Sequence, residues 1–171
     1  ESEIDKGVVL DDLIQQRISE ALAAAHEHGY KQEDIDPFLA GLAVLPPPVP
    51  LNEYADAHGI HISAIESFAA DLRPLLERTK EGLMFRDEPT ETLVRNLYTS
   101  NDALRKLALN LLSRQDVSVY AARALPGLLQ RLDDGKKLFE LAFDKRLPTT
   151  STIGKRNIRY ARLKAATLHA T

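Results

Sequence analysis

The 171-residue chain is 44% hydrophobic with a formal net charge of −3, enough apolar material for one ordinary globular domain or two small ones that share a core. It has no cysteine and no tryptophan, which excludes disulfides, thiolate nucleophiles and cysteine-ligated zinc together and makes a reducing, cytoplasmic setting the expectation. Apolar runs break within a few residues and the opening Glu1 to Lys6 is charged, so neither a membrane span nor a signal peptide is expected.

Residues 11–28 place Ile14, Ile18, Ala21, Leu22 and Ala25 on one stripe, with Asp11 and Asp12 at the positive end and Gly29 past the last turn, which predicts a helix. A second helix is expected from Asp34 or Asp36, with Ile35, Phe38, Leu39 and Leu42 inward, ending at the proline run Pro46 to Pro50, a stiff extended spacer. A short helix follows from Leu51 to His58 and Gly59. Ser63 and Glu66 have the spacing of a capping box and open a helix over 63–76 with Ile65, Phe68, Ala69 and Leu72 inward, ended or kinked by Pro74. A turn at 79–82 then leads into Leu83, Met84 and Phe85, too short for a free-standing strand. These residues need a partner strand, which the Val49-Pro50 edge or the segment near Arg78 can supply. Asp87 or Glu88 caps the next helix, Pro89 suits its first turn, and Glu91 and Arg95 lie one turn apart and can pair.

Past Tyr98 the pattern is helical throughout. Asn101 or Asp102 caps a helix with Leu104, Leu107, Ala108, Leu111 and Leu112 inward, and another starts near Asp116 with Val117, Tyr120, Ala121 and Ala124, re-nucleating at Pro126 and running through Leu128, Leu129 and Leu132. Asp133 to Gly135 forms a turn, Lys136 to Phe143 a short helix, and 148–152 a loop before a last helix from about Gly154. Short antiparallel helices with small residues at their crossings are repeat-like, although no fixed period is present.

Charge is unevenly placed. Residues 1–100 hold 8 Lys+Arg against 19 Asp+Glu and residues 101–171 hold 14 against 6, balances of −11 and +8 that make up the −3. Two readings follow: halves that attract one another or neighbouring parts of a longer chain, and a nucleic-acid surface in the second half.

The run Phe85 to Arg95, preceded by a helix-turn-helix and followed by helical hairpins, resembles the arm region of STAND-class (NACHT/NB-ARC-like) signal-transduction NTPases, whose nucleotide-binding core is followed by a winged helix and then by ligand-sensing repeats. The resemblance covers about residues 30–170 and rests on segment order plus one motif. It implies a mainly α fold: a winged-helix-like module with a small β wing, then antiparallel helical hairpins. It also implies a piece of a larger protein, cut out after its NTPase core. Phe85 and Arg86 match the aromatic-Arg pair that ends the wing strand in many members, whereas Asp87 stands where those members carry a histidine facing the nucleotide. A carboxylate cannot take a neutral imidazole's part beside a phosphate without a bridging cation or amide. No Gly-rich phosphate loop and no acidic Walker B strand occurs.

The expected division is a linking helix over 1–30, a winged-helix-like module over 31–99 and a helical-repeat-like module over 100–171. Within it the wing/helix junction consists of Phe85, Arg86, Asp87 and Glu88. No constellation for chemistry is found, so no catalytic, cofactor or metal residue is expected and the chain is read as no enzyme. His58 and His61 are spaced like half a metal site but lack a third ligand, and Ser63 has no histidine at a motif spacing. The helix that would read DNA in a winged helix carries Glu66, Asp71 and Arg73 outward, and phosphate repels that balance. The basic candidate is Lys155, Arg156, Arg159, Arg162 and Lys164, with Lys155, Arg159 and Arg162 on one face and Ile158, Ala161, Ala165 and Leu168 on another. This helix is read as solvated or partner-facing, or as a nucleic-acid surface without an aromatic platform. The expected role is a non-catalytic regulatory and protein-interaction fragment. Its partners are other domains of the parent chain or further copies, with nucleic acid disfavoured and no membrane. The alternative is a winged-helix DNA-binding transcription regulator with a helical effector or dimerisation domain.

Overall fold

The computed structural model describes residues 3–170, with side chains from residue 11 onward; the opening Glu1 to Lys6 stretch therefore lies outside the described side chains. Among the described residues the chain forms α1 (Glu3–Glu27), α2 (Gln32–Val44), α3 (Leu51–His58), α4 (Ile62–Asp71), β1 (Leu76–Arg78), β2 (Leu83–Phe85), α5 (Glu88–Tyr98), α6 (Asn101–Arg114), α7 (Val119–Arg131), α8 (Gly135–Phe143) and α9 (Thr152–His169). The protein is thus mainly helical with a two-stranded antiparallel sheet, the class that the hydrophobic periodicity predicts. No described helix is long and apolar enough to cross a membrane.

Helix α2 is the hub. Ile35, Phe38, Leu39, Leu42 and Ala43 are buried on it, and it packs against α5, α6 and β2. Gly41 lets Tyr54 of α3 close on this helix, because a Cβ there would collide with the Tyr54 ring, whose hydroxyl donates to the Phe38 carbonyl. Helix α1 lays Ile14, Ile18, Ala21 and Ala25 against its neighbours α4 and α5. The hairpin of α6 and α7 continues from α2 and α3, and α8 and α9 cover α7 in turn. One apolar cluster runs through all of this, from Ile14 to Ala165.

The sheet is small and well pinned. Leu76, Glu77 and Arg78 pair with Phe85, Met84 and Leu83, and the Thr79 N–H donates to the Gly82 carbonyl across the turn at 2.8 Å. Val49 bridges Leu83 on the other edge of β2, its N–H donating to the Leu83 carbonyl at 2.7 Å and its carbonyl accepting from the Leu83 N–H at 2.8 Å. Both segments expected as partners for 83–85 are therefore used. Gly82 has φ +154 and sits against the Val49 carbonyl, a place where any Cβ would clash.

Several helix ends differ from the sequence expectations. Helix α4 starts one residue before Ser63, with His61 as its cap: the Ser63 N–H donates to His61 Nδ1 at 3.3 Å, and no Ser63–Glu66 capping box forms. It ends at Asp71: Leu72 leaves helical geometry at φ −85, ψ 14, Pro74 has no N–H to extend the helical ladder, and the chain turns over 72–75 before Leu76 enters β1. Ser100 rather than Asn101 or Asp102 caps α6, and Ser118 rather than Asp116 caps α7, leaving Val117 in solvent. Pro126 lies inside α7 without interrupting it. Each observed serine cap accepts the N–H three residues on, the geometry that satisfies a first-turn amide.

Candidate functional site

The junction of β2 and α5 is where the small sheet is tied to the helices. Phe85, only 5% exposed, buries its ring as the last residue of β2. The chain bends at Arg86 and Asp87 on leaving the strand, and Asp87, itself with extended backbone angles, accepts the Thr90 N–H with Oδ1 at 2.8 Å and so caps α5, with Pro89 in the first turn. Its other oxygen accepts from Arg17 Nη1 of α1 at 3.2 Å. Burial pushes the Asp87 carboxyl up, but hydrogen bonding to Thr90 and the Arg17 guanidinium outweigh that and hold it below the usual carboxylate range. Arg86 Nε donates to the Arg73 carbonyl beyond α4 at 2.9 Å, and two turns into α5 Arg95 Nε donates to the Ala43 carbonyl of α2 at 2.9 Å while pairing with Glu91. Glu88 is exposed at the positive end of α5. The four residues Phe85, Arg86, Asp87 and Glu88 thus sit at one joint that reaches α1, α2 and the end of α4. Arg17, Arg73 and the Ala43 carbonyl complete it from afar, and no local spacing signals them.

Beside this joint a cleft of about 360 Å³ holds Arg73, Arg78 and Arg86 with Glu66 and Glu77, and Arg78 Nη2 already donates to Glu66 Oε1 at 2.8 Å. A second cavity, of about 160 Å³, lies among Tyr30, Phe38, Phe68, His58, Glu33 and Lys106. Burial, with the nearby Lys106 charge, lowers the His58 pKa to about 4, so its imidazole is neutral at pH 7, and its Nε2 is buried without a hydrogen-bond partner. Among the described residues no three His, Cys, Asp or Glu side chains gather as metal ligands would.

The basic residues of α9 divide. Lys155, Arg156, Arg159 and Lys164 are exposed. Arg162 is not: at 1% exposure it belongs with Ile158 and Ala165 on the buried face, one turn along from Ile158, and it leaves the basic surface predicted for it. Its Nη1 donates to the carbonyls of Asp144 and Arg146, both at 3.0 Å, and its Nη2 to Gln115 Oε1 at 2.9 Å. Gln115 Nε2 in turn donates to Asp144 Oδ2 at 3.0 Å, and Asp144 pairs with Arg146. The guanidinium is an anchor for the α8–α9 connection. The outward face of α9 has a feature that the sequence reading passed over: Ile153, Tyr160 and Leu163 recur at helical spacing in solvent beside the exposed cations. Steps of seven and three residues were the available signal.

No protein-family model matches the chain, and no curated protein matches it.

Proposed function

We propose that the chain is a non-catalytic regulatory and protein-interaction module of a larger STAND-class signal-transduction NTPase, in which a winged helix followed by antiparallel helical hairpins couples a nucleotide core to helical sensor repeats. The observation that carries this reading is the β2–α5 joint. A movement of the two-stranded wing pulls directly on α1 through Arg17–Asp87, on α2 through Arg95 and on the end of α4 through Arg86, and α2 packs on α6. The order α2, Val49, α3, α4, β1, β2 supports the winged-helix assignment, being helix, strand edge, two helices and two strands. The alternative, a DNA-reading winged helix, would need a free and basic α4. That helix has α1 packed on it and carries Glu66 and Asp71, which engage Arg78 and His28, so it is a poor surface for phosphate.

Hydrogen exchange on Asp87→Ala, well below its melting midpoint, tests the coupling: protection should fall in α2 and α6 as well as in β2 and the first turn of α5. Changes confined to the wing would overturn it. Nanomolar, sequence-dependent binding of duplex DNA would instead establish the transcription-regulator alternative.

A further inference from the structure

Helix α9 is apolar on two sides. Ile158 and Ala165 are buried where it packs on α7 and α8, while Ile153, Tyr160 and Leu163 on the other side are 72%, 66% and 51% exposed. A helix apolar on both sides is normally covered on both. Two further exposed rings, Phe139 and Phe143, pair with centroids 4.9 Å apart on α8, against which α9 packs, so this region concentrates the chain's uncovered large apolar side chains. Arg156 lies within the stripe and Lys155, Arg159 and Lys164 flank it, and none of the four has an ion-pair partner among the described residues.

A groove of about 380 Å³ between α1 and α5 has the opposite character. Asp11 and Glu88 line it around Pro89 and Leu93, the exposed Leu97 lies one turn beyond Leu93, and neither carboxylate has a basic partner among the described residues. A groove between two helices accepts a third helix through side chains at three- and four-residue spacing, and 153, 156, 160 and 163 have that spacing. The two faces are complementary in charge, and both also carry apolar side chains. Both lie on the same chain, whose halves carry balances of −11 and +8.

We propose that the chain self-associates head to tail, with the Ile153–Tyr160–Leu163 stripe of one copy lying in the α1–α5 groove of the next and Arg156 and Arg159 set against Asp11 and Glu88. This deepens the interaction-module reading by naming its partner as a second copy. Because the two surfaces differ, the contact is heterologous, and assembly grows with concentration beyond a dimer, into open chains or a ring. It is also salt-sensitive, since its charged rim is exposed.

Sedimentation velocity over a concentration series tests it, at about 0.1 M and about 1 M salt, between which the screening length falls from about 10 Å to about 3 Å. The expected result is a weight-average mass that climbs above 19.0 kDa with concentration at low salt and falls back at high salt. Arg156→Glu with Arg159→Glu should weaken association at least tenfold, as should Asp11→Lys with Glu88→Lys, and an equimolar mixture of the two charge-swapped proteins should associate again. Tyr160→Ser with Leu163→Ser provides a charge-neutral check on the same stripe and should also give a monomer with unchanged helical circular dichroism. A wild type that stays at 19.0 kDa throughout, a charge-swapped protein that associates like wild type, or a mixture that does not recover would each overturn the proposal. Monomeric wild type that is retained on phosphatidylserine-containing vesicles would assign the face to a membrane instead. Wild-type sedimentation and the variants at Arg156, Arg159, Tyr160 and Leu163 leave the β2–α5 joint unsubstituted, so the two readings fail separately.

Discussion

Replacing Arg162 with methionine removes the guanidinium while keeping most of the side chain's volume. It strands three acceptors, the Asp144 and Arg146 carbonyls and the Gln115 side-chain oxygen, around a residue that is almost wholly buried. Each stranded acceptor costs about 1–3 kcal/mol. Against this, burial lowers the Arg162 pKa, which means that the charged form is itself held at a desolvation cost that methionine does not carry. Taking the lower half of the acceptor range and allowing for that relief leaves a net loss of about 3 kcal/mol. For a chain of this length that corresponds to about 6–12 °C in melting midpoint. Scanning calorimetry at neutral pH measures it, with Arg159→Met as the control: its side chain is exposed, and its effect should stay within about 0.5 kcal/mol. Limited proteolysis should also cut the 144–151 connection faster in Arg162→Met. A midpoint within about 2 °C of wild type would mean that the three bonds are not worth keeping and that Arg162 is no anchor.

Phe85→Ala empties a buried ring site at the end of β2 and should cost about 3–5 kcal/mol in urea unfolding; an unchanged midpoint would place the ring outside the core. Asp87→Ala should cost about 1 kcal/mol through the lost cap. Because the Asp87 carboxyl is held below its ordinary value, its contribution is present above the unfolded-state pKa and is lost as pH falls through the folded-state value. A stability difference between wild type and Asp87→Ala that persists unchanged in strong acid would contradict the cap. His58 acts in a higher window. Its folded pKa of about 4 lies below the ordinary 6.5, so the unfolded chain binds the extra proton first and stability declines as pH drops from 6.5 towards 4, by about 3 kcal/mol at most. His58→Phe should flatten that decline between about pH 6.5 and 5, before the carboxylates begin to titrate, and an equal slope in the variant would show that another group is responsible.

How much of this was legible in the sequence depends on the distance over which each feature is decided. Helix stripes, the turn at Gly82, the Asp87 cap with Pro89 and the Glu91–Arg95 pair involve residues within four or so positions of one another, and these could be read directly. Where two nearby residues could both cap, as at Ser100 against Asn101 or Ser118 against Asp116, the residue chosen is the serine with extended backbone whose hydroxyl accepts the N–H three residues on, and spacing alone does not distinguish it. The candidate joint Phe85 to Glu88 was visible as a strand running straight into a helix. Its partners were not, because Arg17 is 70 residues away from Asp87 and Ala43 is 52 from Arg95.

Helix α9 shows the division most clearly. By itself the sequence determined that residues near 154–168 form a helix with cations among apolar residues, since backbone hydrogen bonding and periodicity are local properties. Only the tertiary structure decided which cation goes inside. Arg162 sits at the edge of the inward stripe, where a long side chain can either extend to water or turn into the core. It turns inward where the α6–α7 and α8–α9 connections bring two part-buried carbonyls and the buried Gln115 side-chain oxygen to that edge from as far as 47 residues away, acceptors that the guanidinium satisfies together. The same docking of Ile158 and Ala165 on α7 and α8 left Ile153, Tyr160 and Leu163 facing outward, because a helix with two apolar stripes can bury only one of them against a single layer of neighbours.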